Sequence, residues 1–247
     1  MGTIRFGIYR SPNPDYTVAH RFLEMGGIAA FFVLSSLLVA WSWTQERGLG
    51  STSLIAAALL GFVMADFVSG LVHWAGDTLG DEETPLLGKA FIRPFREHHV
   101  DQKEITRHDF VETNGNNCLV AIPVLFATYV MLPDRHVPVV GFLVATLVSM
   151  CLSVFGTNQF HKWSHTDRPA PVVAFLQRWH LILNPVHHSI HHTAPFEKHY
   201  CITVGWLNPI LTGTGFWRAL ERLVLKLGRG AIKVAVPPQP DAVQSAT

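Results

Sequence analysis

Four stretches of this chain are apolar almost without interruption, and polar segments separate them. They cover about residues 25–43, 54–74, 117–132 and 137–157. Each is as long as, or nearly as long as, the roughly 20 residues with which a helix crosses a bilayer. The third stretch is the shortest and contains Pro123, so we expect it to tilt, to kink or to begin a few residues earlier. The pattern predicts four transmembrane helices.

The remaining segments divide the chain into three parts. Residues 1–24 are predicted to form a cytosolic N-terminal segment, 25–220 the membrane domain and 221–247 a C-terminal tail. The end of the tail, "VAVPPQPDAVQSAT", has the composition of disordered chain. The apolar run 170–183 is too short to span and is predicted to be an interfacial helix, with Trp179 near the lipid head groups.

Composition narrows the class of protein. Hydrophobic residues make up 49% of the chain, charged residues only 15%, and the mean hydropathy is +0.25. A net charge of +1 gives no reason to expect nucleic-acid binding. The three cysteines have no paired spacing, so neither a disulfide framework nor a zinc knuckle is predicted. The first 24 residues are polar and mixed, and the apolar run after them is too long for a cleavable signal peptide.

Lysine and arginine are distributed unevenly between the segments. The N-terminal segment carries three, the loop after the second stretch five and the segment after the fourth nine, against one each in the other two loops, Arg47 and Arg135. The positive-inside rule therefore places both termini and the 77–116 loop in the cytosol. A chain without a targeting extension or an ER-retention signal favours a bacterial inner membrane, with the ER membrane as the expectation for a eukaryotic host.

The 14 histidines follow the same division. All except His20 and His136 lie at, or beyond, the predicted cytosolic ends of the second and fourth stretches. A histidine-rich site at the cytosolic membrane boundary is therefore favoured over a random scatter. The predicted fold class is an all-α integral membrane protein with four transmembrane helices, interfacial helices and a cytosolic histidine-rich di-metal cap.

The densest group of histidines is in "NPVHHSIHH", residues 184–192. Asn184 is a good N-cap and Pro185 a good first helical residue, so a short helix is predicted here. Its histidines form two pairs four residues apart: His187 with His191, and His188 with His192. These pairs could bind one metal ion each, or both could bind one ion. The alternatives are a surface patch that responds to pH and an adventitious metal binder.

Two further pairs with the same spacing lie at the ends of apolar stretches. In "ADFVSGLVHWAGD", His73 and Asp77 face one side of a helix, and in "TNQFHKWSH", His161 and His165 do the same. Asp66 is on the face of His73, about 10 Å deeper. An acid at that depth is costly, so we expect it to orient a ligand histidine, or alternatively to make an interhelical hydrogen bond.

The loop between the second and third stretches adds more candidates. His98 and His99 in "FREHH" would point about 100° apart on a helix and could bind different metals. The run "DFVETNGNN" is predicted to be a polar turn that leads into the third stretch. Candidates for positions outside the ligand ring are Asp66, His108, Asn158 and His180. Four basic residues could steer a phosphate or an electron donor: Arg93, Arg96, Lys103 and Arg107. The alternative is that they are ordinary positive-inside charges.

The kind of ligand indicates which metal is bound. The candidates are too many for one zinc ion, and no HExxH motif is present. Histidine-rich ligation of two neighbouring ions suits iron that activates oxygen, and no haem or iron–sulfur pattern occurs. The four stretches carry too few polar residues for the ion pathway of a metal transporter. No flavin or dinucleotide motif is present, so electrons are expected from outside.

The histidine groups resemble the three boxes of the membrane fatty-acid desaturase and hydroxylase superfamily, HxxxH, HxxHH and a later HxxHH. Here the first box has Asp77 for its second histidine, "FREHH" lacks a leading histidine and "HHSIHH" adds one. With these departures, "GLVHWAGDTLG", "GKAFIRPFREHHVDQKEITRHDFVETNGNNC", "NQFHKWSH" and "NPVHHSIHH" are similar to the plasmanylethanolamine desaturase family of the Kua/CarF type. The resemblance covers about residues 20–220.

The resemblance implies an O₂-dependent enzyme that introduces a 1,2 double bond into the O-alkyl chain of an ether phospholipid. It implies two iron ions and a cytochrome b5-like or ferredoxin-like electron donor with its reductase. The metal ligands that it implies are His73, Asp77, His98, His99, His161, His165, His187, His188, His191 and His192. Alternatives with the same ligands are a desaturase of phosphatidylglycerol acyl chains and a diiron lipid hydroxylase.

Overall fold

The computed structural model describes residues 11, 16–44, 50–85, 87–133 and 137–227. Within these ranges the chain is helical and contains no β-strand. The α-helices are α1 (Val18–Thr44), α2 (Ser51–Thr78), α3 (Arg93–Val100), α4 (Glu104–Arg107), α5 (Phe110–Val130), α6 (Pro138–Ser164), α7 (Pro171–Arg178), α8 (Pro185–Ser189), α9 (Asn208–Gly213) and α10 (Phe216–Leu227), and a short π-helix (Gly88–Ile92) precedes α3. Arg47, Arg135, His136 and the tail segment that is predicted to be disordered lie outside the described residues.

Three helices are long and apolar enough to cross a membrane: Val18–Ser42 in α1, Ser51–Thr78 in α2 and Pro138–Ser164 in α6. They confirm three of the four predicted spans as helices, and each helix extends beyond the apolar stretch that predicted it. The remaining predicted span, the third stretch at 117–132, coincides with most of α5, which has Pro123 in its interior and is not among the three.

The prediction of a polar turn over "DFVETNGNN" is wrong, because α5 begins at Phe110. Asp109 caps this helix, and its Oδ1 accepts the N–H groups of Val111 and Glu112 at 3.1 Å each. Asn114 then donates its side-chain amide to the carbonyl of Phe110 at 2.8 Å, four residues back. The polar side chains of this run are satisfied along the helix itself, so they do not end it.

The chain forms two compact units, and the first consists of Met1–Ala65 and Lys103–Thr166. Its core is apolar and lies where α1, α5 and α6 pack together. The buried core residues are Phe31, Leu38, Cys118, Ala121, Leu125, Val144, Val148 and Cys151. Asn117 of α5 donates to the carbonyl of Val154 in α6 at 2.8 Å and accepts from Asn158 at 3.3 Å, so a polar link joins these helices.

The second unit consists of Asp66–Gln102 and Asp167–Thr247. Its buried core residues are Trp74, Tyr200, Cys201 and Trp217. A Cβ at Gly70 would lie 2.6 Å from Cys201 Sγ, so only glycine lets the chain around Cys201 approach α2 this closely. Arg96 of α3 donates to the carbonyl of Gly80 at 2.7 Å, which ties α3 to the chain that follows α2.

Candidate metal centre

One group of ligands in the second unit is built around Asp77. Its carboxylate lies 3.1 Å from His99 Nε2, 3.3 Å from His191 Nε2 and 3.4 Å from His73 Nε2. Four potential ligand atoms, one from each of these residues, lie within 4.8 Å of one another. We call these residues the Asp77 cluster: His73, Asp77, His99 and His191.

The rings of two of these histidines are oriented by backbone carbonyls. His73 Nδ1 lies 3.1 Å from the carbonyl oxygen of Tyr200, and His191 Nδ1 lies 2.8 Å from that of Lys198. A carbonyl oxygen can only accept, so each Nδ1 carries the hydrogen and, in the neutral ring, each Nε2 carries the lone pair. Backbone contacts therefore set the direction in which both Nε2 atoms present their lone pairs.

This donor set fits a metal cation. The Nε2 atoms of His99 and His191 are 3.3 Å apart, and both lie next to the carboxylate of Asp77. Lone pairs and a negative charge repel one another in a buried place unless a cation lies between them. Histidine Nε2 atoms that are backed by carbonyls, together with one carboxylate, are the ligands that divalent transition metals take in proteins.

A second group in the same unit, which we call the His192 cluster, consists of His98, His188 and His192. The Nε2 atoms of His188 and His192 are 2.9 Å apart, and the rings of His98 and His192 are 4.9 Å apart. His98 and His99 are neighbours on α3, yet the structure brings them into different clusters. Their divergence is the one predicted for adjacent residues of a helix.

Helix α8 explains how the four histidines of "NPVHHSIHH" divide. The predicted cap is confirmed, since Asn184 Oδ1 accepts the N–H groups of Val186 at 2.9 Å and His187 at 3.1 Å. The helix ends at Ser189, and the N–H of His191 bonds to the carbonyl of His188, three residues back. This tighter turn keeps His188 and His192 together, whereas His191 joins the Asp77 cluster.

His187 lies in different surroundings from the other three histidines. Its ring is 4.6 Å from that of His199 and 6.4 Å from that of His180, and Asn208 Nδ2 lies 3.2 Å from its Nε2. Burial and the neighbouring His180 lower the pKa of His187, and burial and the neighbouring His187 lower the pKa of His199. Sequence reasoning did not select His199, because a lone histidine without a partner at helical spacing gives no signal.

The first unit contains the other predicted pair, at the end of α6. His161 and His165 are buried, and their Nε2 atoms are 3.2 Å apart. Lys103, a predicted steering residue, donates to the carbonyl of His165 at 2.7 Å and so contacts the chain that carries a candidate ligand. The spacing of four residues predicted this pairing of the two rings.

The predicted outer residues occupy several environments. Asp66 accepts three backbone N–H groups between residues 204 and 207. His108 Nε2 lies 3.8 Å from Glu112 and 3.9 Å from Glu104. Asn158 contacts Asn117, and the carbonyl of His180 accepts from Trp206 at 2.8 Å.

Two of the remaining basic candidates also have defined places. Arg93 Nε lies 3.6 Å from Glu97, four residues on along α3. Arg107 is exposed. Arg96 donates to the carbonyl of Gly80 in the chain after α2. The steering role of these four residues stays a prediction.

Comparison with known proteins gives a consistent family. Residues 62–231 match the lipid desaturase domain. The chain is 54% identical to the plasmanylethanolamine desaturase of Myxococcus xanthus over 85% of its own length and 73% of that protein. It is 46% identical to plasmanylethanolamine desaturase 1 of Mus musculus, over 85% of this chain and 79% of the relative. A chloroplastic fatty acid desaturase 4-like protein of Arabidopsis thaliana is 30% identical over 88% of this chain and 75% of the relative. No solved structure matches.

Proposed function

Because the chain belongs to the lipid desaturase family, we propose that it converts the O-alkyl chain of a plasmanylethanolamine phospholipid to the vinyl ether of a plasmalogen. The plasmanylethanolamine desaturases of Myxococcus xanthus and Mus musculus are 54% and 46% identical to it, whereas the chloroplastic fatty acid desaturase 4-like protein is 30% identical. This difference favours the ether-linked chain over an ester-linked acyl chain. The Asp77 cluster is the structural observation that carries the proposal.

We propose that ten residues serve two iron ions. The Asp77 cluster would hold one ion, and the His192 cluster would provide ligands for the other. We propose His161 and His165 as further iron ligands. His187 is the tenth. Asn208 Nδ2 lies next to the Nε2 of His187, so we propose that His187 supports the other ligands from beside them. Two bound and reduced iron ions would supply the activation of O₂ that removes hydrogen from an unactivated carbon.

The overall reaction balances with an external source of electrons. The –O–CH₂–CH₂– group loses two hydrogens and becomes –O–CH=CH–. With O₂, two electrons and two protons, it gives two molecules of water. We propose a cytochrome b5-like or ferredoxin-like protein, with its reductase, as the donor of the two electrons, because the chain has no flavin or dinucleotide motif of its own.

The protein's part in this reaction is binding and orientation. Histidines 73, 188 and 191 are almost fully buried, which keeps bulk water from the ligand atoms. The carbonyls of Lys198 and Tyr200 orient the rings of His191 and His73, so these two ligands would already face a bound ion. No side chain is needed as a nucleophile.

We propose that α5 is a fourth span and that both termini and the metal centre are cytosolic, in a bacterial inner membrane, or in the ER membrane of a eukaryotic host. The packing of α5 against two helices that can span supports this role. We further propose that α7 is interfacial, because it exposes Val172 and Phe175, with Trp179 following, while Val173 is buried.

The test is lipid mass spectrometry of cells that make 1-O-alkyl phospholipids but no plasmalogen and that also express a competent electron donor. The chain is compared with His188→Ala and with the control His20→Gln, which changes a histidine outside the proposed ligand set. We expect acid-labile vinyl-ether phospholipid from the wild type and the control, and none from His188→Ala.

Other products would point to the alternatives. Altered ester-linked chains in phosphatidylglycerol would support the acyl desaturase, and a hydroxylated ether lipid would support the hydroxylase. Unchanged lipids despite good expression and a working donor would contradict the proposed function.

A further inference from the structure

A buried carboxylate in α2 holds a distant piece of backbone. Asp66 Oδ1 accepts the N–H groups of Val204 at 2.9 Å and Gly205 at 2.8 Å, and its Oδ2 accepts that of Leu207 at 3.2 Å. The side chain is 0% exposed and lies within a helix that is apolar enough to span a membrane. Such a position is costly for a carboxylate, so its three hydrogen bonds need an explanation.

Two other side chains hold the same piece of backbone, which we call the 198–208 segment. Ser69 Oγ accepts the N–H of Ile202 at 3.0 Å and donates to the carbonyl of Asp66 at 2.8 Å. Asn208 accepts the N–H of Cys201 and donates to the carbonyl of the same residue, both at 2.8 Å. Contacts from these three side chains therefore fix the segment from residue 201 to residue 207.

The fixed part continues directly into the carbonyls that orient the metal ligands. Tyr200 contacts His73, and Lys198 contacts His191. Between them, His199 has a φ of +59°, a left-handed conformation that is strained for a residue other than glycine. Such a conformation persists only where neighbouring contacts hold it. The carbonyls of Lys198 and Tyr200, which face different ligand rings, thus depend on the backbone of residues 201–207, which the three side chains hold.

The residues of α2 that take part lie along one face of the helix. Ser69, His73 and Asp77 follow Asp66 by three, seven and eleven residues, which matches the repeat of an α-helix. The same helix face therefore carries two ligands and also holds the segment that orients one of these two, His73.

We propose that Asp66 is a positioning residue for the metal centre: by fixing the 198–208 segment, it orients the rings of His73 and His191. This inference rests on the proposed metal centre. It differs from the expectation that Asp66 contacts a ligand histidine directly, because the backbone lies between them. Loss of an outer contact of this kind typically weakens metal binding about 10–100-fold.

The test measures metal binding by the full chain in detergent, separately from lipid conversion. The wild type, Asp66→Ala and the control Glu24→Gln are loaded with Co²⁺ alone. Affinity is followed by competition with a chelator, and folding by the melting temperature of the metal-free protein. Glu24 is a matched control, because it is also a fully buried carboxylate in a helix able to span a membrane.

We expect the wild type and Glu24→Gln each to bind two ions. For each ion, the affinity should be the same in both proteins. Asp66→Ala is expected to bind one ion about 10–100-fold more weakly, while the other ion is unaffected. If Asp66 had only a structural role, Asp66→Ala would lower the melting temperature and leave the affinity of the folded protein for both ions unchanged. Alternatively, it would lower the affinity for both ions to the same extent. Either result overturns the inference.

A milder variant keeps the test decisive if Asp66→Ala does not fold. Ser69→Ala removes only one acceptor from the segment. We expect it to lower the affinity for the same ion about fivefold, which is the effect of one hydrogen bond. Unchanged affinity in Ser69→Ala would then overturn the inference. The failure of this inference can be distinguished from the failure of the proposed function. Unaltered Co²⁺ binding in the variants would overturn only the inference, whereas a wild type that binds no Co²⁺ would overturn the metal centre as well.

Discussion

Asp77 supplies the only carboxylate of the Asp77 cluster, and three imidazole nitrogens lie 3.1–3.4 Å from it. We expect Asp77→Ala to lose at least about 100-fold in the affinity of one ion, because an anionic ligand and a point of contact for three histidines disappear together. Vinyl-ether formation should fall with it. Metal content per chain and lipid mass spectrometry would measure both.

Two further variants make this prediction sharper. Asp77→His should retain more metal than Asp77→Ala, because imidazole replaces one ligand with another. Glu83→Ala changes an exposed acid in the loop after α2 and should leave metal content and product unchanged. Full metal content in Asp77→Ala would show that Asp77 is not a ligand.

A second prediction at the residue scale concerns Asp109, which caps α5 and pairs with Arg21 at 2.6 Å. Burial alone would raise the pKa of Asp109, but the hydrogen bonds from Arg21 and from the N–H groups at the start of α5 lower it below the ordinary value of about 4. Asp109→Asn keeps a cap oxygen but loses the charge. We expect it to lower the melting temperature at pH 7 by about 3 °C, the equivalent of about 1 kcal/mol.

The sign of the pH dependence follows from the lowered pKa. The charge of Asp109 stabilises the fold fully above its unfolded pKa, and this contribution is lost as the pH falls through the lower folded value. The melting temperatures of wild type and Asp109→Asn should therefore converge below about pH 4. Measurements in detergent from pH 7 to pH 3 would test this, and a gap that stays constant would contradict it.

Sequence reasoning at the residue scale identified which side chains matter better than it identified their contacts. Spacing predicted the pairs His73 with Asp77 and His188 with His192, because a helix places residues four apart together. It could not separate His187 from His191, since that depends on where α8 ends. The partner of Asp66 was also out of reach, because the 198–208 segment is more than 130 residues away along the chain.

At the scale of elements, the close approach of α2 to α6 depends on Gly61. A Cβ there would lie 2.4 Å from the carbonyl oxygen of Thr146 and 2.7 Å from the backbone nitrogen of Met150. Backbone atoms cannot turn aside, so Gly61→Ala must separate the two helices. We expect the melting temperature in detergent to fall by roughly 5 °C, from an overpacking cost of about 1–3 kcal/mol.

Gly26 provides the matched control for this substitution. It also lies in a long apolar helix, α1, but a Cβ there would meet nothing within 4 Å. Gly26→Ala should leave the melting temperature unchanged or raise it, because alanine is the better helix former. Equal losses in the two variants would mean that glycine acts through the helix itself and not through the contact with α6.

The elements themselves differ in how far the sequence predicts them. Long apolar runs predicted α1, α2 and α6, because burial of backbone polar groups in lipid leaves a helix as the simplest solution. Hydropathy missed the start of α5, where Thr113 and Asn114 satisfy their polar groups on backbone carbonyls four residues back. Polarity alone cannot distinguish such a helical turn from a loop.

At the scale of the whole molecule, the Asp77 cluster constrains how often the chain crosses the membrane. His73 lies near the end of α2, and His191 follows α6, yet their ligand atoms are within 4.8 Å of each other. The two must lie on the same side of the membrane, so the chain between them crosses an even number of times. Because α6 is able to span, an even number requires a second crossing between the two residues, and we propose α5 for it.

Reporter fusions in a bacterial host test this topology. With four spans and a cytosolic N-terminus, green fluorescent protein fused after residue 247 should fluoresce, and alkaline phosphatase fused after residue 132 should be active in the periplasm. If α5 did not cross, both results would reverse, because α6 would carry the C-terminus outward and leave residue 132 inside. That reversal would also place His73 and His191 on opposite sides of the membrane, so it would contradict the metal centre together with the topology.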